Sequence, residues 1–199
     1  MLTDAAKNTM LDAFAGAYGF LSLHTGYSAT GANEVAGGSP AYARKAHTWN
    51  AAAAGNLDNS NAPVFDVPAG ATIAWAGFWT LASGGTFGGM IPLGSDTPKR
   101  MSVDDIATNV IDCPAHGYTL NQPVVVFPDG GSIPGGLTAG TIYYVRDVLT
   151  DSFTLAATSG GAAIDITSIG HATVQKITPE TFGAQGTYTV SDLDVALPA

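Results

Sequence analysis

"IPLGSDTPKR", residues Ile91 to Arg100, is the stretch on which the fold of this chain turns. Before it lie Gly- and Ala-rich segments and an aromatic run, "WAGFW", at Trp75 to Trp79. After it comes a series of short β-prone segments divided by Gly, Pro and Asp. If the stretch is a linker, two domains follow one another along the chain. If it leads into an insertion, the C-terminal residues return to the first domain.

Working outward toward the N-terminus, the first element reads as a helix. Thr3 or Asp4 can cap it, Leu2, Met10, Leu11, Phe14 and Tyr18 recur at helical spacing, and Gly16 offers a stop. "FLSLHT" (Phe20 to Thr25) alternates with period two, setting Leu21, Leu23 and Thr25 against Ser22 and His24. A polar, Gly-rich loop follows. "ARKAHTWN" reads as a strand, "AAAAGNLDNSNA" as a small-residue patch, and "PVFDVPAGATIAWAGFWTL" as two strands around a Pro-Ala-Gly turn. "GGTFGGMIPL" is a short strand after a glycine turn.

From Ser102 the rhythm changes. "NVIDCPAHG", "QPVVVFPDGG", "TIYYVRDVLTDSFTLAAT", "AAIDIT" and "HATVQKI" are short strands separated by turn signals. Spacing of about 8–12 residues between such signals indicates a small all-β sandwich or barrel. Leu149-Thr150-Asp151 is the expected hairpin turn within it. "TFGAQGTYTVSDLDVALPA" closes the chain with a glycine turn between β-prone segments.

Composition excludes several classes. Charged residues are 12% of the chain, about half the usual ~25%. Such a surface suits permanent contact with other subunits. The net charge is −9, and the only basic pairs are Arg44-Lys45 and Lys99-Arg100, so no basic face exists for nucleic acid. One cysteine, Cys113, permits no intrachain disulfide and no cysteine-built zinc site. The N-terminus lacks a signal-peptide pattern. No apolar run reaches the ~18 residues of a membrane span.

Candidate chemistry is sparse. Cys113, His116 and Asp112 could supply a nucleophile, a base and an acid, but no oxyanion-hole or nucleophile-elbow pattern accompanies them. The histidines His24, His47, His116 and His171 show no metal-ligand spacing. Asp192 and Asp194 share a strand face and could hold calcium or do acid–base work, but a third acidic ligand is missing. "GGTFGG" lacks the lysine and the helix start of a phosphate loop. Trp75 and Trp79, with Phe78 on the opposite face, could stack on sugar; packing in the core is the plainer reading. The expectation is therefore no catalytic, no cofactor-binding and no metal residue.

Several segments resemble a family of small virion proteins of actinobacterial tailed phages, labelled tail fibre or minor tail proteins. They are "LTDAAKNTMLDA", "SLHT", "TGANEVAGGSPAYARKAHTW" (Thr30 to Trp49), "FDVPAGATI", "GFW", "GGTFGGMIPL" and, after a gap, "ETFGAQGTYTVSDLDVAL" (Glu180 to Leu197). In shorter relatives the proline-leucine strand runs almost directly into the "ETFGAQGTYT" segment. Here "AHGYTLNQPVVVF", "IPGGLTAGTIYYV" and "DSFTLAATSGGAAIDIT" intervene, and these are similar to a β-module recurring in phage fibre and virion-surface proteins. At "LHT" the Ala-Asp-Pro continuation of many relatives is replaced by Gly26-Tyr27-Ser28.

The resemblance makes "IPLGSDTPKR" the way into an insertion. The expected fold is mainly β: a β-sandwich-like scaffold with one short N-terminal helix, residues 1–97 plus 178–199, carrying a small all-β domain at 98–177. The scaffold would dock to the virion and the module would project outward. The implied function is a structural tail-associated fibre, tip or minor tail component, not an enzyme. Its partners would be other virion proteins, copies of itself and the host envelope, with no nucleic acid and no membrane insertion. A capsid decoration protein is the alternative. A carbohydrate-active enzyme would need an acid pair in an aromatic cleft, which is not found.

Overall fold

The structure, a computed structural model, describes residues 2–197. They form two compact units: the chain up to Ile91 together with the residues from Glu180 on, and Pro92–Pro179.

The first unit opens with α1 (Asp4–Ala17), capped by Thr3, whose hydroxyl accepts the Ala6 N–H at 3.3 Å. The helix passes through Gly16, which takes no left-handed conformation, and ends at Tyr18, whose N–H reaches Phe14 O. Its inner face is not the expected apolar stripe. Lys7 and Leu11 are buried, whereas Leu2 and Met10 are about half exposed (52% and 53%). The reason is polar docking: Asn8 Oδ1 accepts the Gly55 N–H and Asp12 Oδ1 the Ala52 N–H, fixing the helix to the 52–55 loop.

The strands that follow are β1 (Phe20–His24), β2 (Lys45–Ala46), β3 (Asn56–Asp58), β4 (Val64–Val67), β5 (Thr72–Ile73), β6 (Trp75–Trp79) and β7 (Phe87–Pro92). A four-stranded sheet has the order β2-β1-β6-β7. β1 and β6 pair antiparallel along their full length, from Phe20↔Trp79 to His24↔Trp75. Every residue of β6 is buried, and so are Leu21 to His24 of β1. The alternation read in "FLSLHT" is real, but both faces of the strand are covered, so Ser22 and His24 are interior. "ARKAHTWN" contributes only the two residues of β2, and the small-residue patch contains a further strand, β3.

The second unit is a closed antiparallel barrel: β8 (Lys99–Val103), β9 (Ile111–Asp112), β10 (Pro123–Phe127), β11 (Ile142–Arg146), β12 (Ser152–Ala156) and β13 (Gly170–Lys176), in the order β10-β11-β12-β9-β8-β13. Period-two alternation fills it: Met101 and Val103, Ile111, Val124 and Val126, Tyr143 and Val145, Phe153 and Leu155, Ala172 and Val174 all belong to one core cluster. The Leu149 N–H to Ser152 O bond closes the expected turn. "AAIDIT" makes no strand, only an isolated bridge between Ala163 and Ala156. The chain comes in and leaves at one end, where the Thr178 N–H donates to Leu93 O at 2.8 Å.

From Glu180 the chain adds β14 (Glu180–Thr181), β15 (Gly186–Thr189) and β16 (Asp194–Ala196), which pair with β5, β4 and β3 in turn. The pairing keeps one register from Glu180↔Ile73 to Thr189↔Val64, then slips by a single residue for Asp194↔Asp58 to Ala196↔Asn56. Phe182, Val190 and Leu193 are its buried anchors.

Candidate functional site

The densest polar arrangement lies between β1 and β6. Residues 22 and 24 share one strand face, so their side chains meet: Ser22 Oγ and His24 Nε2 are 2.6 Å apart. The roles follow from the partners. His24 Nδ1 stands 2.8 Å from Ala32 O, a pure acceptor, so Nδ1 carries the proton and Nε2 accepts from Ser22. Trp79 Nε1–H donates to Ser22 Oγ at 2.8 Å. Burial holds the His24 pKa below its usual value, with Ala32 O and Glu34 acting to raise it and Arg44 to lower it.

A hydroxyl donating to an imidazole whose far nitrogen is oriented by an acceptor is the geometry of an activated nucleophile. Here it is sealed. Ser22 and His24 are fully buried, and Gly77 closes on them so tightly that a Cβ there would sit 2.6 Å from His24 Nε2 and 2.7 Å from Ser22 Oγ. The network orders the sheet instead.

Around it Arg44 ties three segments together. It donates bidentately to Glu34 (2.9 and 2.7 Å) and through Nη1 to Leu81 O and Gly84 O, while its guanidinium covers the Trp79 ring. The first half of "GGTFGG", Gly84 to Thr86, thus lies in the β6–β7 turn and the rest opens β7, and the Gly84 carbonyl is an arginine acceptor. Trp75, Phe78 and Trp79 are all buried, which leaves no sugar-stacking face on that strand.

In the barrel, Cys113 is buried and burial raises its thiol pKa, while Asp112 points to solvent. His116 is fully committed: Nδ1 accepts the Tyr118 N–H (2.9 Å), so Nε2 carries the proton toward Leu149 O (2.8 Å). No nitrogen is left to serve as a base for Cys113. His171 Nδ1 meets Asp129 Oδ1 at 2.6 Å, with Arg100 Nη2 3.1 Å from Oδ2. Burial works against the Asp129 charge, yet the hydrogen bond to His171 and the nearby Arg100 guanidinium hold its carboxyl below the usual range.

Asp192 lies outside β16, so the two carboxylates do not share a strand, and both residues are exposed to solvent. The carboxyl opposite Asp194 is Asp58, and its hydrogen bond raises the Asp194 pKa, with burial and charge repulsion acting the same way. Among the described residues no three His, Cys, Asp or Glu side chains gather as metal ligands. An open groove of about 490 Å³ in the barrel unit is lined by Thr119, Leu120, Gln122, Lys176 and Thr178, among others.

Residues 2–128 match the family described as Podophage GP4 fiber I protein gp80. The chain belongs to this fibre family. The match takes in α1 through β7 and continues through β8, β9 and β10 of the barrel. No curated protein and no solved structure matches the chain. Membership makes this a structural phage fibre protein, associated in the virion with other virion components. No described helix is long and apolar enough to cross a membrane.

Proposed function

We propose that the first unit fixes the protein in the tail fibre and that the barrel is a module inserted between β7 and β14 and displayed toward the host envelope. The observation that carries this reading is the Thr178–Leu93 hydrogen bond, which joins the two ends of the barrel segment. Insertions are tolerated where their ends lie together. Among the described residues, the strands from Glu180 on pair with strands of the first unit. The low charge content suits a protein that works as copies of itself packed in a fibre. The sealed Ser22–His24 pair and the committed His116 fit a non-catalytic role.

Two experiments test the reading. Electron microscopy of particles decorated with an antibody to the barrel should mark the tail, at the copy number of the fibres; labelling across the head would make this a decoration protein instead. Joining Ile91 to Glu180 removes the barrel. Particles should then still incorporate the shortened chain but adsorb to cells less well. Failure to incorporate it would assign the barrel to assembly rather than to host contact.

A further inference from the structure

β1 is an inner strand of its sheet, and a buried imidazole stands near each end. His24 closes one end. At the other, the His47 N–H donates to Gly19 O at 2.8 Å, just past the Phe20↔Ala46 pair of β1 and β2. His47 is 4% exposed, and neither Nδ1 nor Nε2 makes a hydrogen bond. Its ring stands edge-on to Trp49 at 4.2 Å between centroids. Asn61 lies nearby, but its Oδ1 takes the Thr48 N–H and its Nδ2 donates to Ala46 O. A neutral imidazole leaves one N–H unpaired in such a place; an imidazolium would leave two, and a charge.

The two histidines differ in what a proton would meet. At His24, the Ser22 hydroxyl can turn toward Gly77 O, 3.3 Å away, and accept from both Trp79 and a protonated ring. Glu34 faces His24 across an isolated bridge, with Arg44 beyond it. His47 has no such provision. Burial and the weaker, opposing Asn61 amide are all that shift its proton affinity, and they push it down to about 4 from 6.5. Lys45, two residues away, is already paired with Asp66 at 3.5 Å.

We propose that His47 is an acid-operated release for β1: neutral, it packs as an apolar ring against Trp49; protonated, it leaves that site and frees the Gly19–Phe20 end of β1 from β2. The unfolded chain takes its proton near 6.5 and the folded chain only near 4. Stability is therefore complete above that window and falls as pH drops through it. Asp194, whose pKa is raised, works in the opposite sense, so the His47 effect must be read from variants rather than from the whole profile.

All three tryptophans, Trp49, Trp75 and Trp79, belong to the first unit, so tryptophan emission of the full chain reports that unit alone. Melting followed by this signal should lose several degrees between about pH 7 and about pH 4.5. His47→Phe should melt higher at both and lose clearly less on acidification, and His47→Gln should also flatten the acid response. Equal losses in wild type and both variants would overturn the proposal. An NMR titration needs no variant: a His47 ring signal titrating near 6.5 in the folded protein would also overturn it.

Discussion

The guanidinium of Arg44 lies 3.4 Å over the ring centroid of Trp79. The same group holds Glu34 bidentately and two carbonyls of the β6–β7 turn, and its side chain is only 10% exposed. A lysine could carry the charge but not the planar fork. Arg44→Lys should therefore cost about 2 kcal/mol, combining part of a cation–π contact with unpaired acceptors. Urea unfolding followed by tryptophan emission measures it; a variant as stable as wild type would show that the fork is surplus.

Gly77 is required by what faces it. A Cβ there would strike His24 Nε2 and Ser22 Oγ, and both are held by further partners, so neither can yield cheaply. Gly77→Ala should cost about 1–3 kcal/mol by overpacking. Ser22→Ala should cost a similar ~1–3 kcal/mol through the unpaired Trp79 N–H and His24 nitrogen. Ser22→Ala combined with Gly77→Ala should recover part of the loss, because one clash is gone. Strict additivity would mean the two residues do not share a site.

The architecture was legible where β-branched and aromatic residues run together between turn signals. "PVVVF" and "IYYVR" show it directly, and the Leu149-Thr150-Asp151 turn joins the next strand. β8 escaped because Lys99 and Arg100 close the junction "IPLGSDTPKR", although Met101 and Val103 point inward with period two. β3 offers one buried residue, Leu57, and three residues cannot display a period. The polar network was hidden for a different reason: Ser22 and His24 look like a solvent face until a second layer covers them. The glycine in "WAGFW", two residues before a tryptophan able to donate, was the one signal for it. The helix misled through Asn8 and Asp12, polar residues that turn inward to hold backbone N–H groups.

Asp194 and Asp58 are like charges on directly opposed strand positions, an unfavourable cross-strand pair. Because the folded pKa of Asp194 is raised, the penalty is absent below the ordinary carboxylate range and grows as pH rises through the folded value. Asp194→Asn should stabilise the first unit at neutral pH by roughly 0.2–1 kcal/mol. The gain should vanish in acid, where wild-type Asp194 is already protonated. Melting of both proteins across pH checks it, and a gain that persists in acid would point to a cause other than charge.

The bond between Thr178 and Leu93 also bears on the order in which the chain can fold. To zip against residues 56–73, the tail must close a loop through everything from Pro92 to Pro179. In an unfolded chain a loop of that size carries roughly 4–5 kcal/mol of closure entropy. A barrel that forms first has already brought Leu93 and Thr178 together, so the loop left for Glu180 to close onto Ile73 is only the short path from β5 through β7. Phe153→Ala, deep in the barrel, should then slow the tryptophan-detected refolding of a unit it does not belong to. An unchanged rate would mean the tail finds its register without the barrel's help.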